Sequence, residues 1–272
     1  MNEQLATITP ERMEAAGIAA LHEEASEEVR QRLGLRLAHI NGTTVSIAAH
    51  DPSPLLNRAV GLGLHEPANA EGIERICAAY EEHEIDHFYV GIHPEARPAD
   101  VRDILGQAGL EPARGWMKFE RPPDPAPMAT SNLSVRKIGE DHVEDFGRIA
   151  AAAYGMIPDA GSLVRGLIGR PGSHLYMTFD GDTPAGTGLL AVDGDCAWFE
   201  WASTDPAFRQ RGSQRALLAR RIEDAIDAGC TRLMTCTGEA VPGDPQHSYH
   251  NIEWAGFKPT FVRENWTPAG NV

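Results

Sequence analysis

An arginine-rich segment surrounds Gly212, at the junction of a predicted strand and a predicted helix. Its five arginines lie within thirteen residues: Arg209, Arg211, Arg215, Arg220 and Arg221. The first turn of a helix leaves backbone N–H groups without partners, and the helix dipole adds partial positive charge there. These are the components of a phosphate or pyrophosphate site. A solvated basic helix face is the alternative interpretation.

The elements around this segment alternate between strand and helix. The apolar spacing of Leu218, Ile222, Ala225 and Ile226 predicts one buried helix face, and Gly229 is placed to end that helix. In order, we predict strand 196–203, helix 212–228, strand 231–237, helix 247–255 and strand 261–266.

The first half of the chain repeats this order. We predict a strand over 57–63, a helix near 71–82, a strand over 87–92 and a helix near 99–108. Both halves then end on similar sequence, Ala-Gly-Leu-Glu-Pro-Ala at 108–113 and Ala-Gly-Phe-Lys-Pro-Thr at 255–260. The repetition predicts two copies of one βαβαβ-containing α/β fold, each a mixed sheet flanked by helices.

A proline-rich segment separates the two halves. Four prolines lie within the six residues 122–127, and proline prevents regular hydrogen bonding and favours an extended chain. We therefore predict domains over 1–121 and 133–272, joined by a semi-rigid linker over 122–132.

The arginine-rich segment resembles the acyl-CoA-binding motif of the GNAT family of N-acetyltransferases. That motif reads Arg/Gln-x-x-Gly-x-Gly/Ala after a strand and at the start of a helix, and this chain has Arg209-Gln-Arg-Gly-Ser-Gln214 preceded by Asp205-Pro206. The downstream helix ending at Gly256-Phe257 and the following strand extend the resemblance over about residues 133–268. It implies a GNAT fold in the second half.

The resemblance also implies how acetyl-CoA, the expected cofactor, would bind. Backbone amides of the loop would hold the pyrophosphate, the end of the preceding strand would bind the pantetheine arm and the acetyl carbonyl, and the later helix would supply further contacts. The implied binding residues are Trp201, Ala202, Ser203, Arg209, Gln210, Arg211, Gly212, Ser213, Gln214, Ser248 and Asn251.

Two positions depart from the family pattern. Gln214 stands where the motif has a small residue, which would hold the helix further from the cofactor. Ile252 stands where many members have a tyrosine that protonates the leaving thiolate. Tyr249, three residues earlier on the same helix face, is a candidate replacement acid, and packing is its alternative role.

The catalytic base is expected on or near the central strand, since an amine must lose a proton before it attacks a thioester. Glu200 lies among aromatic residues whose desolvation would raise its pKa, or else it is an exposed strand carboxylate. Glu239 is the second candidate. A backbone N–H near Ala202 or Ser203 would hold the oxyanion.

The resemblance implies an enzyme that transfers an acetyl group to a primary amine of a small molecule or peptide, directly in a ternary complex. A non-catalytic acyl-CoA-binding or sensor protein and a scaffold of two inactive folds stay open as alternatives. The first half has no arginine and no glycine-rich turn between its strand at 57–63 and its helix, and Glu66 would oppose a phosphate there. We expect that half to have lost CoA binding.

The overall charge of −15 argues against binding to nucleic acid or to an anionic membrane. With four cysteines in no CxxC spacing and no apolar leader or bilayer-length run, we expect a cytoplasmic protein; a homodimer is compatible with the sequence. His83-Glu-Ile-Asp-His87 matches a zinc-protease motif, but the predicted helix ends before His87, so we predict no metal site.

Overall fold

The computed structural model describes residues 9–270. These residues form two compact units: unit 1 holds the residues up to Trp116 and those from Val262 onward, and unit 2 is Met117–Phe261. The predicted domains, 1–121 and 133–272, differ from this division, and the predicted linker at 122–132 lies inside unit 2. Residues 117–121 group with unit 2 and residues 262–270 with unit 1, because the strands Leu110–Arg121 and Lys258–Pro268 each contribute residues to both units.

Between residues 9 and 116, unit 1 contains four helices and five complete or partial strands. They are α1 (Thr9–Glu23), α2 (Glu27–Leu33), β1 (Leu35–Ile40), β2 (Thr43–Ala48), β3 (Arg58–Val60), α3 (Ala70–Glu81), β4 (Tyr89–Ile92), α4 (Val101–Gln107) and the start of β5 (Leu110–Arg121). The end of the last strand, β11 (Lys258–Pro268), completes the unit.

The sheet of unit 1 is mixed, with the strand order β1-β2-β3-β4-β11-β5. A two-residue turn at Asn41-Gly42, where both residues have positive φ, makes the hairpin between β1 and β2. Strands β3 and β4 run parallel, which requires the crossover through α3. Apolar residues from these strands and from α3 and α4 form its core, including Val45, Ala59, Ile73, Tyr80 and Val90.

A buried histidine stabilises unit 1 in a pH-dependent way. The Nε2 atom of His22 lies 2.8 Å from Ser46 Oγ, and Ser46 in turn donates to Leu56 O. Burial, assisted by the positive charge of Arg30, lowers the pKa of His22 to about 4. Folding therefore favours the neutral imidazole, whereas the unfolded chain protonates at its ordinary pKa of about 6.5.

We expect His22→Gln, which cannot titrate, to flatten the pH dependence of stability. The contribution of neutral His22 is complete above pH 6.5 and is lost as the pH falls towards 4, a difference of about 3 kcal/mol. The free energies of unfolding in urea at pH 7.5 and pH 4.5 give this pH dependence for both proteins. An equal pH dependence of stability in the two proteins would contradict the assignment of a neutral His22.

Unit 2 contains the remaining elements. After the end of β5 come β6 (Ser134–Lys137), a 3₁₀ turn (Glu140–His142), α5 (Val143–Tyr154), a 3₁₀ segment (Pro158–Leu167), β7 (Ser173–Asp180), β8 (Thr183–Asp193), β9 (Cys196–Thr204), a 3₁₀ turn (Pro206–Phe208), α6 (Ser213–Asp227), β10 (Arg232–Gly238), α7 (His247–Trp254) and the start of β11. Residues 122–133 contain no helix or strand, as the proline content predicted.

The sheet of unit 2 is also mixed, with the order β5-β10-β9-β8-β7-β6. Strands β6 to β9 pair antiparallel, and β9 and β10 pair parallel across the helix α6. The core on the side of α6 and α7 includes Phe119, Phe199, Leu217, Ile252 and Phe257. The predicted mixed α/β class is confirmed, and both units contain the predicted order of strand, helix, strand, helix and strand.

Candidate functional site

A groove opens where the parallel strands β9 and β10 part. Their pairing runs from Cys196↔Arg232 to Phe199↔Thr235, while the strands themselves continue to Thr204 and Gly238. At the last pair, Thr235 Oγ1 donates to Phe199 O over 2.8 Å. The carboxyl ends of parallel strands are the usual ligand edge of an open sheet.

A β-bulge shapes the β9 side of this groove. Against β8, Glu200 pairs with Leu189 but Ser203 pairs with Thr187, so β9 holds one residue more than its partner over this stretch. Trp201 takes up the extra length in the left-handed region, with φ of 54°. This conformation is strained for a bulky side chain, which marks the position as a functional candidate.

The loop before α6 ends at a helix N-terminus that has no side-chain cap. Gln210 and Gly212 both have positive φ, at 62° and 81°, and Gly212 occupies the N-cap position with no side chain to accept from the helix amides. No acidic residue lies in the first turn. Uncapped amides at a helix N-terminus are suited to binding an anion.

The arginine side chains do not converge on this point as the sequence suggested. Arg211 makes a two-pronged contact with Asp180, at 2.7 and 3.0 Å, and also donates to Asn132 Oδ1. Arg220 pairs with Asp224 on its own helix, and Arg221 is fully buried. The positive charges of these arginines therefore lie against carboxylate and carbonyl oxygens within unit 2.

Arg209 remains available to a ligand. Its side chain is exposed and makes no hydrogen bond or ion pair within residues 9–270. Arg215 is exposed too, but Nε donates to Asn251 Oδ1 over 2.9 Å and the guanidinium lies 4.9 Å from the Trp254 ring.

The three predicted ligands Gln214, Ser248 and Asn251 bind one another. Gln214 donates to Ser248 Oγ over 3.2 Å and accepts from Asn251 Nδ2 over 2.8 Å. The side chain of Gln214 therefore bridges α6 to α7. The structure brings these residues together as a strut between two helices, which the motif alone did not indicate.

Ser213 anchors the start of α6 to the sheet. Its buried hydroxyl lies 2.7 Å from Thr178 Oγ1, in space that exists because residue 186 is glycine: a Cβ there would lie 2.4 Å from Ser213 Oγ. Only the backbone of Ser213 remains to face an anion.

The proline-rich segment is fixed to the anion loop rather than acting only as a spacer. Ser131 Oγ donates to Arg211 O over 2.8 Å, and a Cβ on Gly212 would lie 2.4 Å from Thr130 O. At its other end, buried Arg121 donates to Ala255 O and to Asp124 O. The segment therefore holds the loop in place from behind.

The candidate acid and bases lie on three elements: Glu200 on β9, Tyr249 on α7 and Glu239 in the loop after β10. Glu200 is partly buried, and its Oε2 accepts from Trp198 Nε1 over 3.3 Å. Tyr249 packs edge-on against Phe119 at 4.8 Å, and desolvation, followed by the charge of Glu253, raises its pKa. Glu239 is partly buried in the loop after β10.

Tyr154 is a groove residue that the sequence analysis missed. It ends α5, its hydroxyl donates to Ala202 O over 2.9 Å, and its ring meets Trp201 edge-on at 6.1 Å. Forty-eight residues separate Tyr154 from Ala202. No local pattern signals such a contact.

The corresponding position in unit 1 is closed by its own backbone. Arg97 donates its N–H to Gly63 O and accepts from Ala68 N over 2.7 Å, which ties the loop before α3 to the loop after β4. Asn69 caps α3 by accepting from Gly72 N. The N-terminus of α3 in unit 1 therefore has a side-chain cap, which the N-terminus of α6 in unit 2 lacks.

The zinc-protease motif does not form its helix. α3 ends at Glu81 and Glu84 has positive φ, so His83 and His87 lie outside the helix. Within residues 9–270 no group of three or more His, Cys, Asp or Glu side chains is placed to hold a metal ion. Over the same range, no helix has both the length and the apolar character needed to cross a bilayer.

Comparison with known families and structures decides the class of unit 2. Residues 156–244, which include the groove and the loop, match the family model described as an acetyltransferase (GNAT) domain. The chain carries a GNAT acetyltransferase domain. This match supports an acyltransferase, and the predicted resemblance of this part of the chain is confirmed.

Solved structures extend the likeness of fold beyond the GNAT domain. A GCN5-related N-acetyltransferase from Kribbella flavida aligns with a TM-score of 0.63 at 15% identity, covering 96% of this chain and 96% of that one. A second, from Sphaerobacter thermophilus, aligns with a TM-score of 0.59 at 14% identity, over 89% and 84%. No curated protein matches the chain.

Proposed function

We propose that this protein transfers an acetyl group from acetyl-CoA to a primary amine of a small molecule or peptide. The observation that carries the proposal is the uncapped N-terminus of α6, entered through Gly212 in the left-handed conformation and lying in the GNAT domain. An anion-binding helix end beside an open strand groove suits a pyrophosphate attached to a long, narrow arm.

The loop residues would hold the cofactor mainly through their backbone. The amides of residues 210–214 belong to the loop and to the first turn of α6, and Arg209 supplies a free guanidinium. Arg211 would act indirectly, since its contacts with Asp180 and Asn132 fix the loop. The groove beside Trp201, Ala202 and Ser203 would take the arm and the acyl carbonyl.

Acetyl-CoA would supply an activated acyl group, and the chain's own residues would handle protons. Glu200 lies at the bulge and is our first candidate to accept a proton from the amine, with Glu239 as the second. Tyr249 would donate a proton to the leaving sulfur from α7. Backbone N–H groups at Ala202 or Ser203 would bind the carbonyl oxygen as its negative charge grows.

Acyl-CoA binding without transfer is a second candidate, favoured by one observation. Ile252 is buried in the core, and Tyr249 packs against Phe119 in the same cluster, so α7 presents its acid candidate as a packed ring. Protection of the protein by CoA against thermal unfolding would support either function. Transfer from acetyl-CoA to a panel of amines would separate them, and the absence of both activities would favour a scaffold.

The two loop arginines provide a sharper test of the binding site. We expect Arg209→Ala to weaken CoA binding by about tenfold or more, through a lost charge-assisted contact, without changing thermal stability. We expect Arg211→Ala to weaken binding by disordering the loop, and Asp180→Asn to reproduce that loss because it removes the negative charge and one of the two acceptor oxygens that bind Arg211.

Titration calorimetry with CoA measures all three variants. Normal binding by Asp180→Asn together with weak binding by Arg211→Ala would show that Arg211 contacts the ligand itself. Unchanged binding by Arg209→Ala would remove Arg209 from the site.

A further inference from the structure

Four successive carbonyl oxygens of β9 accept hydrogen bonds from side chains of four other elements. Phe199 O accepts from Thr235 Oγ1 (2.8 Å), Glu200 O from Arg221 Nη1 (3.3 Å), Trp201 O from Thr187 Oγ1 (2.8 Å) and Ala202 O from the Tyr154 hydroxyl (2.9 Å). The donors come from β10, α6, β8 and α5. We call these four donors the carbonyl clamp.

Three of the four clamp carbonyls, those of Glu200, Trp201 and Ala202, belong to the part of β9 that has left the parallel ladder. Beyond Phe199 no β10 residue pairs with β9, and the register against β8 is broken by the bulge. Side chains therefore replace the backbone partners that the carbonyl oxygens have lost. Each of these carbonyl oxygens already has a side-chain donor, which favours the N–H groups of the same segment as its contacts with a ligand.

The clamp also explains how Trp201 keeps its strained conformation. A non-glycine residue with φ of 54° persists only where its surroundings determine the backbone more strongly than its own preference. Here the carbonyls of Trp201 and of both its neighbours are held. Ser203 Oγ, 2.6 Å from Thr187 Oγ1, extends the same network.

Arg221 is the charged donor of the clamp. Its side chain is fully buried and also donates to Leu189 O over 2.8 Å. The guanidinium fits because residue 188 is glycine: a Cβ there would lie 2.8 Å from Arg221 Cζ. Desolvation lowers the pKa of Arg221 to about 10, so the group still carries positive charge beneath the bulge at neutral pH.

We propose that Tyr154, Thr187, Arg221 and Thr235 are positioning residues that turn this edge of β9 into a rigid run of N–H donors for the carbonyl oxygen of the acyl group. The inference rests on the proposed function, because it assigns the acyl carbonyl to one edge of that site. It assigns no part in proton transfer to the four side chains.

Two variants remove single clamp bonds with little change of shape. Thr187→Val is nearly isosteric, and Tyr154→Phe keeps the ring against Trp201. Tyr176→Phe is the matched control, since it also removes one phenol hydrogen bond, 2.6 Å to Asp224, but none to a carbonyl of β9.

The first readout is backbone hydrogen exchange over residues 199–203 in the ligand-free protein, which needs no cofactor. We expect exchange there to accelerate by about tenfold or more in Thr187→Val and Tyr154→Phe, and to stay at the wild-type rate in Tyr176→Phe. Unchanged exchange in both clamp variants would overturn the proposal.

The second readout is the preference for acetyl-CoA over CoA, titrated without an amine acceptor. The two ligands differ in the acyl carbonyl, and one neutral hydrogen bond corresponds to a preference of about three- to tenfold. We expect both clamp variants to lose this preference while binding CoA as the wild type does, a separation that a general loss of stability would not produce.

The outcomes separate this inference from the proposed function. Wild-type protein that binds neither ligand would contradict the proposed function, and the acyl assignment with it. Wild-type binding with an acetyl-CoA preference that survives in Thr187→Val and Tyr154→Phe would overturn the clamp alone.

Discussion

Replacing Gly212 with alanine is expected to reduce CoA affinity by at least about 100-fold while unit 2 stays folded. Gly212 has φ of 81°, a conformation that costs a residue with a Cβ about 1–2 kcal/mol, and the new Cβ would lie 2.4 Å from Thr130 O. Since that oxygen belongs to a segment fixed by Ser131 and Arg121, the loop must move instead. The amides at the start of α6 would then no longer be arranged around one anion.

Gly229→Ala is the matched control for this prediction. Gly229 follows the same helix and has φ of 85°, but a Cβ there meets nothing within 4 Å. We expect it to lower stability by about 1 kcal/mol and to leave CoA affinity unchanged. Calorimetry and circular dichroism of both variants give the comparison. Wild-type affinity in Gly212→Ala, or an equal loss in Gly229→Ala, would contradict the assignment of the loop.

Replacing Gly147 with alanine is expected to destabilise unit 2 by about 3 kcal/mol. Glycine to alanine inside a helix ordinarily stabilises by up to about 1 kcal/mol, so the expected sign is reversed. The reason is a close backbone approach: a Cβ on Gly147 would lie 2.5 Å from Gly161 O and 2.8 Å from Gly161 Cα. Backbone cannot move aside like a flexible side chain, and overpacking follows.

The same substitution should reach the groove through α5. Moving α5 away from the 3₁₀ segment would withdraw Tyr154 from Ala202 O. Gly106→Ala in α4 is the control, because a Cβ there meets nothing within 4 Å, and we expect it to stabilise by about 0.5–1 kcal/mol. Denaturant unfolding of both variants measures the difference. A stabilised Gly147→Ala would refute the packing of α5 on the 3₁₀ segment.

Local signals in the sequence were sufficient for the elements around the site. The apolar spacing predicted α6 over 212–228, and the helix runs Ser213–Asp227. Aromatic residues predicted the strand at 196–203, observed as Cys196–Thr204. These elements depend on residues close together in the chain, so their pattern carries most of the information.

The sequence also contains local signals for two β-hairpins of unit 2. The two-residue turns Gly181-Asp182 and Gly194-Asp195 join β7 to β8 and β8 to β9, and both glycines have positive φ. A Gly-Asp dipeptide between two apolar runs is a signal for a β-hairpin. Reading it would have predicted the antiparallel half of the sheet in unit 2.

The contacts that build the groove were beyond prediction because they join distant residues. Arg211 pairs with Asp180, which lies 31 positions away in the chain, and Ser131 donates to Arg211 O, 80 positions away. The sequence therefore indicated a cluster of arginines without showing that most of them bind partners inside the unit. The left-handed Trp201 likewise depends on side chains from other elements.

The most direct test of this account is titration of acetyl-CoA into the full chain by calorimetry, read as stoichiometry. Unit 2 offers an uncapped helix end, whereas Asn69 caps the equivalent helix of unit 1 and Arg97 ties its loops together. We predict one molecule of acetyl-CoA bound per chain, with binding that weakens as salt is added because the contacts are charged. Two molecules per chain would contradict the closed site of unit 1, and no binding would contradict the proposed function.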